Sequence, residues 1–176
     1  MRSKQIVLWL LFFLLIPGII LPDIPAVERE ALIALYNATG GDNWRRNDNW
    51  KTGGVFSPPG TENTWWGITC DAANTMVIEI HLESKNLQGT LPPEIGNFTN
   101  LEYLDLPGNL LSGFIPAEIG NLTHLQFLRL YSNQLSGSIP PEIGDCISLK
   151  VMQIHGNQLT GPIPAEMGNL SSATTI

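Results

Sequence analysis

LEYLDLPGNLLSGFIPAEIGNLTH, residues 101–124, decides the fold because the same pattern returns along the chain without a gap. Residues 125–148 read LQFLRLYSNQLSGSIPPEIGDCIS, and residues 149–172 read LKVMQIHGNQLTGPIPAEMGNLSS. A more divergent copy, VIEIHLESKNLQGTLPPEIGNFTN, precedes them at residues 77–100. A fixed period of 24 residues is typical of a solenoid, in which each repeat forms one coil and buries its apolar side against its neighbours.

The first six residues of each repeat predict a short β-strand. Leu101, Leu104 and Leu106 are apolar, and the residues between them are mostly polar or aromatic, which is the alternation of a strand with one buried face. A single strand cannot bury that face alone. The coils are therefore expected to stack their strands into a parallel sheet with a continuous apolar interior.

The rest of the repeat is predicted to return along the outside of the coil. Asn109, Asn133 and Asn157 stand where the chain must turn away from the sheet, and their amides can satisfy backbone groups of neighbouring coils. Lys85 takes this place in the first repeat, so the ladder of asparagines is expected to be broken there. The glycine and proline of the pattern favour short extended segments and 3₁₀ turns over long helices.

The consensus L-x-x-L-x-L-x-x-N-x-L-S-G-x-I-P-x-x-I-G-N-L-T resembles the plant-type, extracellular class of leucine-rich repeats over residues 77–172. Residues 27–76 resemble the N-terminal capping module of the same family, through ALIALYNATGGDNW and WWGITCD. The resemblance implies an α/β fold: a right-handed leucine-rich-repeat solenoid with a parallel β-sheet on the concave face, 3₁₀ and extended segments on the convex face, and a helical N-terminal cap. GGDNW also resembles related secreted proteins of bacteria and algae, so the source kingdom stays open.

The capping module has a helical pattern of its own. Its apolar residues recur at helical spacing, and Gly40 and Gly41 are expected to stop the helix, whose apolar face would cover the open end of the first coil. These residues are Val27, Ala31, Ala34, Leu35 and Ala38. Four tryptophans are interpreted as packing material for this small module in preference to a ligand site, because aromatic side chains dominate small cores. They are Trp44, Trp50, Trp65 and Trp66.

The two cysteines, Cys70 and Cys146, do not form a disulfide framework. They lie on opposite sides of three repeats, and the repeat spacing forbids a bond between them. Members of the family often carry a second cysteine upstream of the W-x-G-x-x-C motif, and this chain has none. Cys70 is therefore expected to be a free, buried thiol.

Residues 1–26 are interpreted as a signal peptide, or as an N-terminal anchor where they are retained. Arg2 and Lys4 precede an apolar run from Ile6 to Ile16, which a Pro-Gly pair ends. A basic start with a short apolar run is the pattern of a secretory signal, and a membrane span of about 20 residues is hard to build from it. The sequence therefore predicts a secreted or cell-surface protein.

Charge and motif content exclude several kinds of activity. The net charge of −7 argues against nucleic acid and anionic lipid as partners, since both reward clustered Lys and Arg. The histidines, His81, His124 and His155, fall at different places, and no third ligand stands at metal spacing beside His81 and Glu83. There is no phosphate-binding glycine loop and no nucleophile motif. The sequence predicts a non-enzymatic protein with no metal and no cofactor.

Four N-x-S/T sequons mark candidate N-glycosylation sites: Asn37, Asn97, Asn121 and Asn169. Three of them belong to the repeat consensus itself, which makes their presence weak support for glycans. We expect some of them to be used in a eukaryotic secretory pathway and none in a bacterium.

Strand positions that the core does not use form columns on the concave surface. The candidate ligand-binding residues come from these columns: Tyr103, Asp105, Phe127, Arg129, Tyr131, Gln153 and His155. Aromatic side chains beside an arginine are typical of a binding hot spot. Two plainer interpretations stay open, namely that Tyr103 and Phe127 form a cross-strand pair worth about 0.2–1 kcal/mol, and that Asp105 and Arg129 form a solvated ion pair.

The leading functional hypothesis is an extracellular recognition module that binds a protein or peptide, including another leucine-rich-repeat ectodomain, on its concave face. It would be similar to the ectodomains of receptor-like proteins and receptor kinases. The alternative is a cell-wall-associated inhibitor or polysaccharide-interacting protein that resembles the polygalacturonase inhibitors. A surface-coating role, such as ice or matrix contact, would need a regular array of one residue type, and the columns are mixed.

Residues 173–176 look like the start of a fifth repeat, with Ala173 and Ile176 at its first and fourth positions. No capping sequence follows, and a solenoid exposes an apolar end where its repeats stop. We therefore expect a fragment of a longer repeat protein. Membrane association is expected only through an uncleaved N-terminal segment or through a missing C-terminal part.

Overall fold

The computed structural model describes residues 23–176, so the predicted signal or anchor lies almost entirely outside the described part of the chain. The capping module consists of helix α1 (Ala26–Ala38), a 3₁₀ turn (Gly41–Asn43), strands β1 (Lys51–Thr52) and β2 (Val55–Phe56), a second 3₁₀ turn (Glu62–Thr64) and strand β3 (Ile68–Cys70). Within residues 23–176, no helix combines the length and the apolar character that a membrane crossing requires.

Each of the four repeats contributes two strands and one 3₁₀ turn. In chain order the strands are β4 (Val77–His81), β5 (Gln88–Thr90), β6 (Tyr103–Asp105), β7 (Leu110–Gly113), β8 (Phe127–Arg129), β9 (Gln134–Gly137), β10 (Val151–Gln153) and β11 (Gln158–Leu159). The turns span Pro93–Asn97, Ala117–Asn121, Pro141–Asp145 and Ala165–Asn169.

The concave sheet has the strand order β10-β8-β6-β4-β3. Its repeat strands are parallel and in strict register, with Tyr103 opposite Phe127 and Leu104 opposite Leu128, as the constant period predicts. One edge differs from the expected all-parallel sheet, because β3 of the cap pairs antiparallel with β4. The cap therefore extends the sheet as well as covering the end of the first coil.

The return segments form a second parallel sheet, in the order β11-β9-β7-β5. The sequence predicted extended segments here, but it did not predict that they would pair with one another. They pair because an unbroken period places each segment beside its equivalent in the next coil. The 3₁₀ turns then close the convex side, which confirms the expected right-handed solenoid of the leucine-rich-repeat type.

The predicted asparagine ladder is present. The Nδ2 of Asn133 donates to the carbonyls of Leu106 and Leu130, both at 3.0 Å, and its Oδ1 accepts the amide of Leu111 at 3.1 Å. Asn109 and Asn157 repeat this pattern one coil away on either side. In the first repeat Lys85 takes the ladder position, and the next residue, Asn86, donates from its Nδ2 to the carbonyl of Asn43 in the cap at 3.2 Å, so the ladder is interrupted there as predicted.

The cap core corrects part of the predicted helix face. Val27 is 49% exposed, and the neighbouring Glu28 is buried in its place, where its Oε2 accepts the backbone amide of Val77 at 2.7 Å. Burial raises the pKa of the Glu28 carboxyl above its ordinary value. Ile24, which precedes the predicted start of the module at residue 27, also packs into this core.

Aromatic side chains fill the centre of the cap. Trp44, Trp50 and Trp65 are buried, and Tyr36 packs against the first two with ring centroids 5.0 and 5.3 Å apart. The packing interpretation holds for these three tryptophans. Trp66 is only half-buried, and the cations of Arg46 and Lys85 lie over its ring.

Both cysteines are free thiols, but Cys70 is half-buried where full burial was expected. Burial raises the pKa of the Cys70 thiol to about 11, with the carboxylate of Asp71 adding to the effect. Cys146 is fully buried, and burial raises the pKa of its thiol to about 12. Its Sγ donates to the carbonyl of Ile119 at 3.1 Å.

The last described residues continue the repeat register. Thr175 forms a parallel bridge with Val151, its equivalent one period earlier, and Ala173 packs against the core. Ile176 is exposed. These contacts are those that the first residues of a fifth coil would make.

Candidate functional site

Two stacked aromatic rings lie on the concave sheet. Tyr103 and Phe127 occupy the third position of adjacent repeats, so the parallel register sets them opposite each other. Their ring centroids are 4.5 Å apart and their planes differ by 8°. Both side chains are half-buried, because each ring covers one face of the other. The predicted cross-strand pair is therefore present, and the parts of the two rings that the stacking leaves uncovered remain on the concave surface.

The fifth position carries a buried carboxylate, which corrects the solvated ion pair proposed from the sequence. Asp105 is only 7% exposed. Its Oδ2 lies 2.9 Å from Nη1 of Arg129 and 3.0 Å from Nδ1 of His81. Arg129 also lies over the ring of Phe127, with its Cζ 5.2 Å from the ring centroid. Because the carboxylate is shielded from water, this pair fixes the Arg129 guanidinium more firmly than a surface pair would.

A second aromatic stack lies at the seventh position, one coil further from the cap. Tyr131 and His155 have ring centroids 5.0 Å apart and nearly parallel planes, 2° apart. Gln153 is half-buried between the two columns, and His155 is exposed. All seven residues predicted for the site therefore share one face of the solenoid. Pro107, the equivalent of Tyr131 one coil earlier, is buried and does not contribute.

Two residues of the same surface were missing from the predicted site. Glu79 and His81 belong to β4, and Nε2 of His81 lies 3.3 Å from Oε2 of Glu79. The His81 ring lies 5.9 Å from that of Tyr103. Their column positions would have identified them in the sequence, since they are the equivalents of Tyr103 and Asp105.

The candidate glycosylation sites lie away from this surface. Asn97, Asn121 and Asn169 end the convex 3₁₀ turns, and Asn37 is exposed near the end of α1. Asn97 is half-buried, and the other three side chains are exposed. Glycans at these positions would leave the concave sheet uncovered, and whether the sequons are used remains a prediction.

The concave surface is suited to non-covalent recognition. It offers aromatic edges, one guanidinium, the carboxylates of Glu79, Glu83 and Asp105, and an amide. Tyr and Arg are among the residues enriched in binding hot spots. Within the described residues, no group of three His, Cys, Asp or Glu side chains is placed to hold a metal ion. The surface can supply hydrogen bonds, charge and apolar contact to a ligand that lies along the solenoid.

A family model described as Leucine Rich Repeat matches residues 100–122, 124–146 and 148–170. A probable leucine-rich repeat receptor-like protein kinase of Arabidopsis thaliana is 42% identical over 81 residues. That alignment covers 45% of this chain and only 7% of the relative, so the chain spans a small part of that protein's length.

Two solved ectodomains of Arabidopsis thaliana share the fold. The leucine-rich-repeat ectodomain of the receptor kinase GASSHO1/SCHENGEN3, solved with CASPARIAN STRIP INTEGRITY FACTOR 2, is 32% identical with a TM-score of 0.74, over 83% of this chain and 17% of that one. The BIR2 ectodomain is 27% identical with a TM-score of 0.73, over 88% of this chain and 79% of that one.

These matches and the geometry define a leucine-rich-repeat solenoid with an N-terminal cap. The matched segments within residues 100–170 are leucine-rich repeats, and the chain is similar to the ectodomains of plant receptor kinases.

Proposed function

We propose that this chain is an extracellular, non-enzymatic recognition module that binds a protein or peptide on its concave face, in the manner of a receptor ectodomain. The observation that carries the proposal is the stack of Tyr103 and Phe127 beside Arg129, whose guanidinium Asp105 holds in place. Rigid aromatic side chains lose little conformational entropy on binding, and a fixed guanidinium binds acceptors without first being ordered.

The comparisons support this function. The ectodomain of GASSHO1/SCHENGEN3 was solved with CASPARIAN STRIP INTEGRITY FACTOR 2, and it covers most of this chain. Another solved neighbour, 37% identical over 58% of this chain, is the plant peptide hormone receptor RGFR1 in complex with RGF2. The likeness to extracellular ectodomains also supports a secreted or cell-surface location for this chain.

The test compares two phenylalanines of one chain. Phe127 lies on the concave face, and Phe114 is 69% exposed just after β7 on the second sheet. Immobilised wild-type, Phe127→Ala and Phe114→Ala chains are exposed to the extracellular fluid of the source organism, and retained peptides and proteins are quantified by mass spectrometry. We expect Phe127→Ala to lower the amount of the retained partners at least about fivefold, as loss of a hot-spot side chain does, and Phe114→Ala to retain them. Equal retention by wild type and Phe127→Ala would contradict the proposed face.

A polysaccharide-binding role is less well supported by the site. It would need a broad charged surface, whereas the guanidinium of Arg129 in the central concave face is already paired with the Asp105 carboxylate. We expect soluble galacturonan to leave the electrophoretic mobility of the chain unchanged. Retardation that is unaffected by Phe127→Ala would favour the polysaccharide role.

A further inference from the structure

The concave face has an acidic corner next to the cap, formed by Glu79, His81 and Asp105. Glu79 and Asp105 flank the imidazole of His81, at 3.3 Å from Nε2 and 3.0 Å from Nδ1. Glu83 follows two residues later in the same coil and is exposed. Among the described residues, Arg129 is the one Lys or Arg side chain that pairs with a carboxylate of this corner.

Asp105 retains acceptor capacity that the fold does not use. Its Oδ2 has two partners, but its Oδ1 is buried and accepts no hydrogen bond from the part of the chain that the structure describes. Buried polar atoms are nearly always hydrogen-bonded, because burial without a partner costs about 1–3 kcal/mol. This carboxylate is thus an incompletely satisfied group within a binding surface.

The imidazole cannot satisfy both carboxylates in its neutral form. A neutral imidazole has one N–H, so it donates to Glu79 or to Asp105 and leaves the other facing a lone pair. The corner then holds two carboxylates against the single positive charge of Arg129. A ligand cation would offset this charge at the partly exposed carboxylate of Glu79, since the buried Oδ1 of Asp105 is closed to it.

An aromatic ring adjoins the corner on the side of the binding surface. Glu79 stands opposite Tyr103 in the sheet register, and the Tyr103 ring stacks on Phe127 on its other side. A side chain that reaches the corner therefore passes next to an apolar surface. The alkyl part of a Lys or Arg side chain suits that path, since such side chains bury their stems and keep the charged end at polar groups.

We propose that the acidic corner binds a cationic side chain, Lys or Arg, of a peptide ligand, and that this contact sets the ligand's direction. The cationic residue lies at the cap end, and an apolar residue lies over Tyr103 and Phe127. The inference rests on the proposed function and adds the ligand's charge pattern to it. Within residues 23–176 these side chains are not grouped as metal ligands, which favours an ammonium or guanidinium group over a bare metal ion.

Two model peptides, acetyl-Arg-Gly-Phe-amide and acetyl-Gln-Gly-Phe-amide, serve as probes. Each is titrated into the ¹⁵N-labelled chain at low salt, and dissociation constants are taken from the NMR shifts of concave-face residues. We expect the Arg peptide to bind about fivefold tighter than the Gln peptide, the effect of one partly exposed ion pair. Raising the NaCl concentration to about 0.5 M should remove most of that preference by screening.

Matched variants locate the contact. Glu79→Gln is expected to reduce the preference for the Arg peptide to less than about twofold, since it removes one charge of the pair. Glu94→Gln removes an exposed carboxylate on the convex turn Pro93–Asn97 and should leave the preference unchanged. Circular dichroism verifies that both variants are folded.

The outcomes separate this inference from the proposed function. Equal affinity for both peptides, or a preference that survives in Glu79→Gln, would overturn the cationic contact alone. A Gln peptide that shifts concave-face signals in wild type but not in Phe127→Ala supports the proposed function independently. Failure of both peptides to shift any concave-face signal would count against both.

Discussion

Replacement of Asn133 by alanine tests whether the asparagine ladder holds the coils together. The side chain is buried and donates to the carbonyls of Leu106 and Leu130 while accepting the amide of Leu111. Alanine removes these three bonds and a longer one, 3.4 Å, to the carbonyl of Tyr131, without adding bulk. Its immediate effect is confined to backbone groups of two consecutive coils.

The magnitude follows from which groups lose their last partner. The Leu111 amide loses the acceptor that the ladder gives it, which costs about 1–3 kcal/mol for a buried donor. The Leu106 carbonyl keeps its hydrogen bond from the side-chain amide of Asn109, and the Leu130 carbonyl keeps the one from Asn157. The two carbonyls together therefore add only about 1 kcal/mol. We therefore expect Asn133→Ala to lower the free energy of unfolding by about 2–4 kcal/mol.

Urea unfolding followed by circular dichroism measures this loss, with Gln134→Ala as the control because Gln134 is an exposed neighbour. Asn157→Ala should cost less, about 1–2 kcal/mol, because Asn157 is half-buried and water can replace part of its bonds. In the double variant Asn133→Ala/Asn157→Ala, the Leu130 carbonyl loses both of its side-chain amide donors. The decrease in unfolding free energy should therefore exceed the sum of the two single decreases by about 1 kcal/mol.

Two results would refute the reasoning. One is a loss below about 0.5 kcal/mol for Asn133→Ala, the usual range of surface substitutions. The other is strict additivity in the double variant, which would mean that the shared Leu130 carbonyl does not couple the two asparagines.

Three further predictions concern the cap and the thiols. With pKa values of about 11 for Cys70 and about 12 for Cys146, alkylation by iodoacetamide at pH 8 should be about 100-fold slower in the folded chain than in urea, and comparable rates would contradict the burial. Because the pKa of Glu28 is raised on folding, the folded chain binds more protons than the unfolded chain, and stability falls as pH rises from the ordinary carboxyl range through the raised value. Glu28→Gln, which keeps an acceptor for the Val77 amide, should remove that fall in Tm between pH 4 and pH 7, and an unchanged pH profile would be evidence against it. Gly89→Ala, at φ 124° and with its new methyl group directed onto a carbonyl of the cap helix, should lower the free energy of unfolding in urea by about 2 kcal/mol or more, while a neutral effect would contradict the tight cap contact.

The sequence predicted the repeat architecture because its information is repeated. Apolar residues equivalent to Leu101, Leu104 and Leu106 recur in every coil. A single copy would have indicated a strand with one buried face, and the repetition indicates that these strands stack. The second sheet and the antiparallel β3 were not predictable in the same way. Pairing of return segments depends on the distance between coils, and the cap occurs once, so no repetition identifies its partners.

The sequence predicted which residues of the site lie next to each other in columns, but it did not predict which of their side chains are buried. The period alone places Tyr103 beside Phe127 and Asp105 beside Arg129. It does not show that Asp105 is buried, because that depends on how the side chains of His81 and Arg129 fold over it. The predicted burial of Val27 is wrong for a related reason. Helical spacing identifies one face of the helix, but tertiary packing decides that Glu28 is the buried residue.

The shape of the concave surface limits how a ligand can lie on it. Tyr103 with Phe127, and Tyr131 with His155, form two aromatic ridges at the third and seventh positions. Four residues of extended chain separate these positions by about 13 Å, enough for one extended peptide and too little for two paired strands with their side chains. Because the rings in each ridge are stacked on one another, their faces are partly covered, and their edges are left to contact a ligand. Under the proposed function, we therefore expect a single extended peptide along the solenoid axis, over the polar column of Asp105, Arg129 and Gln153.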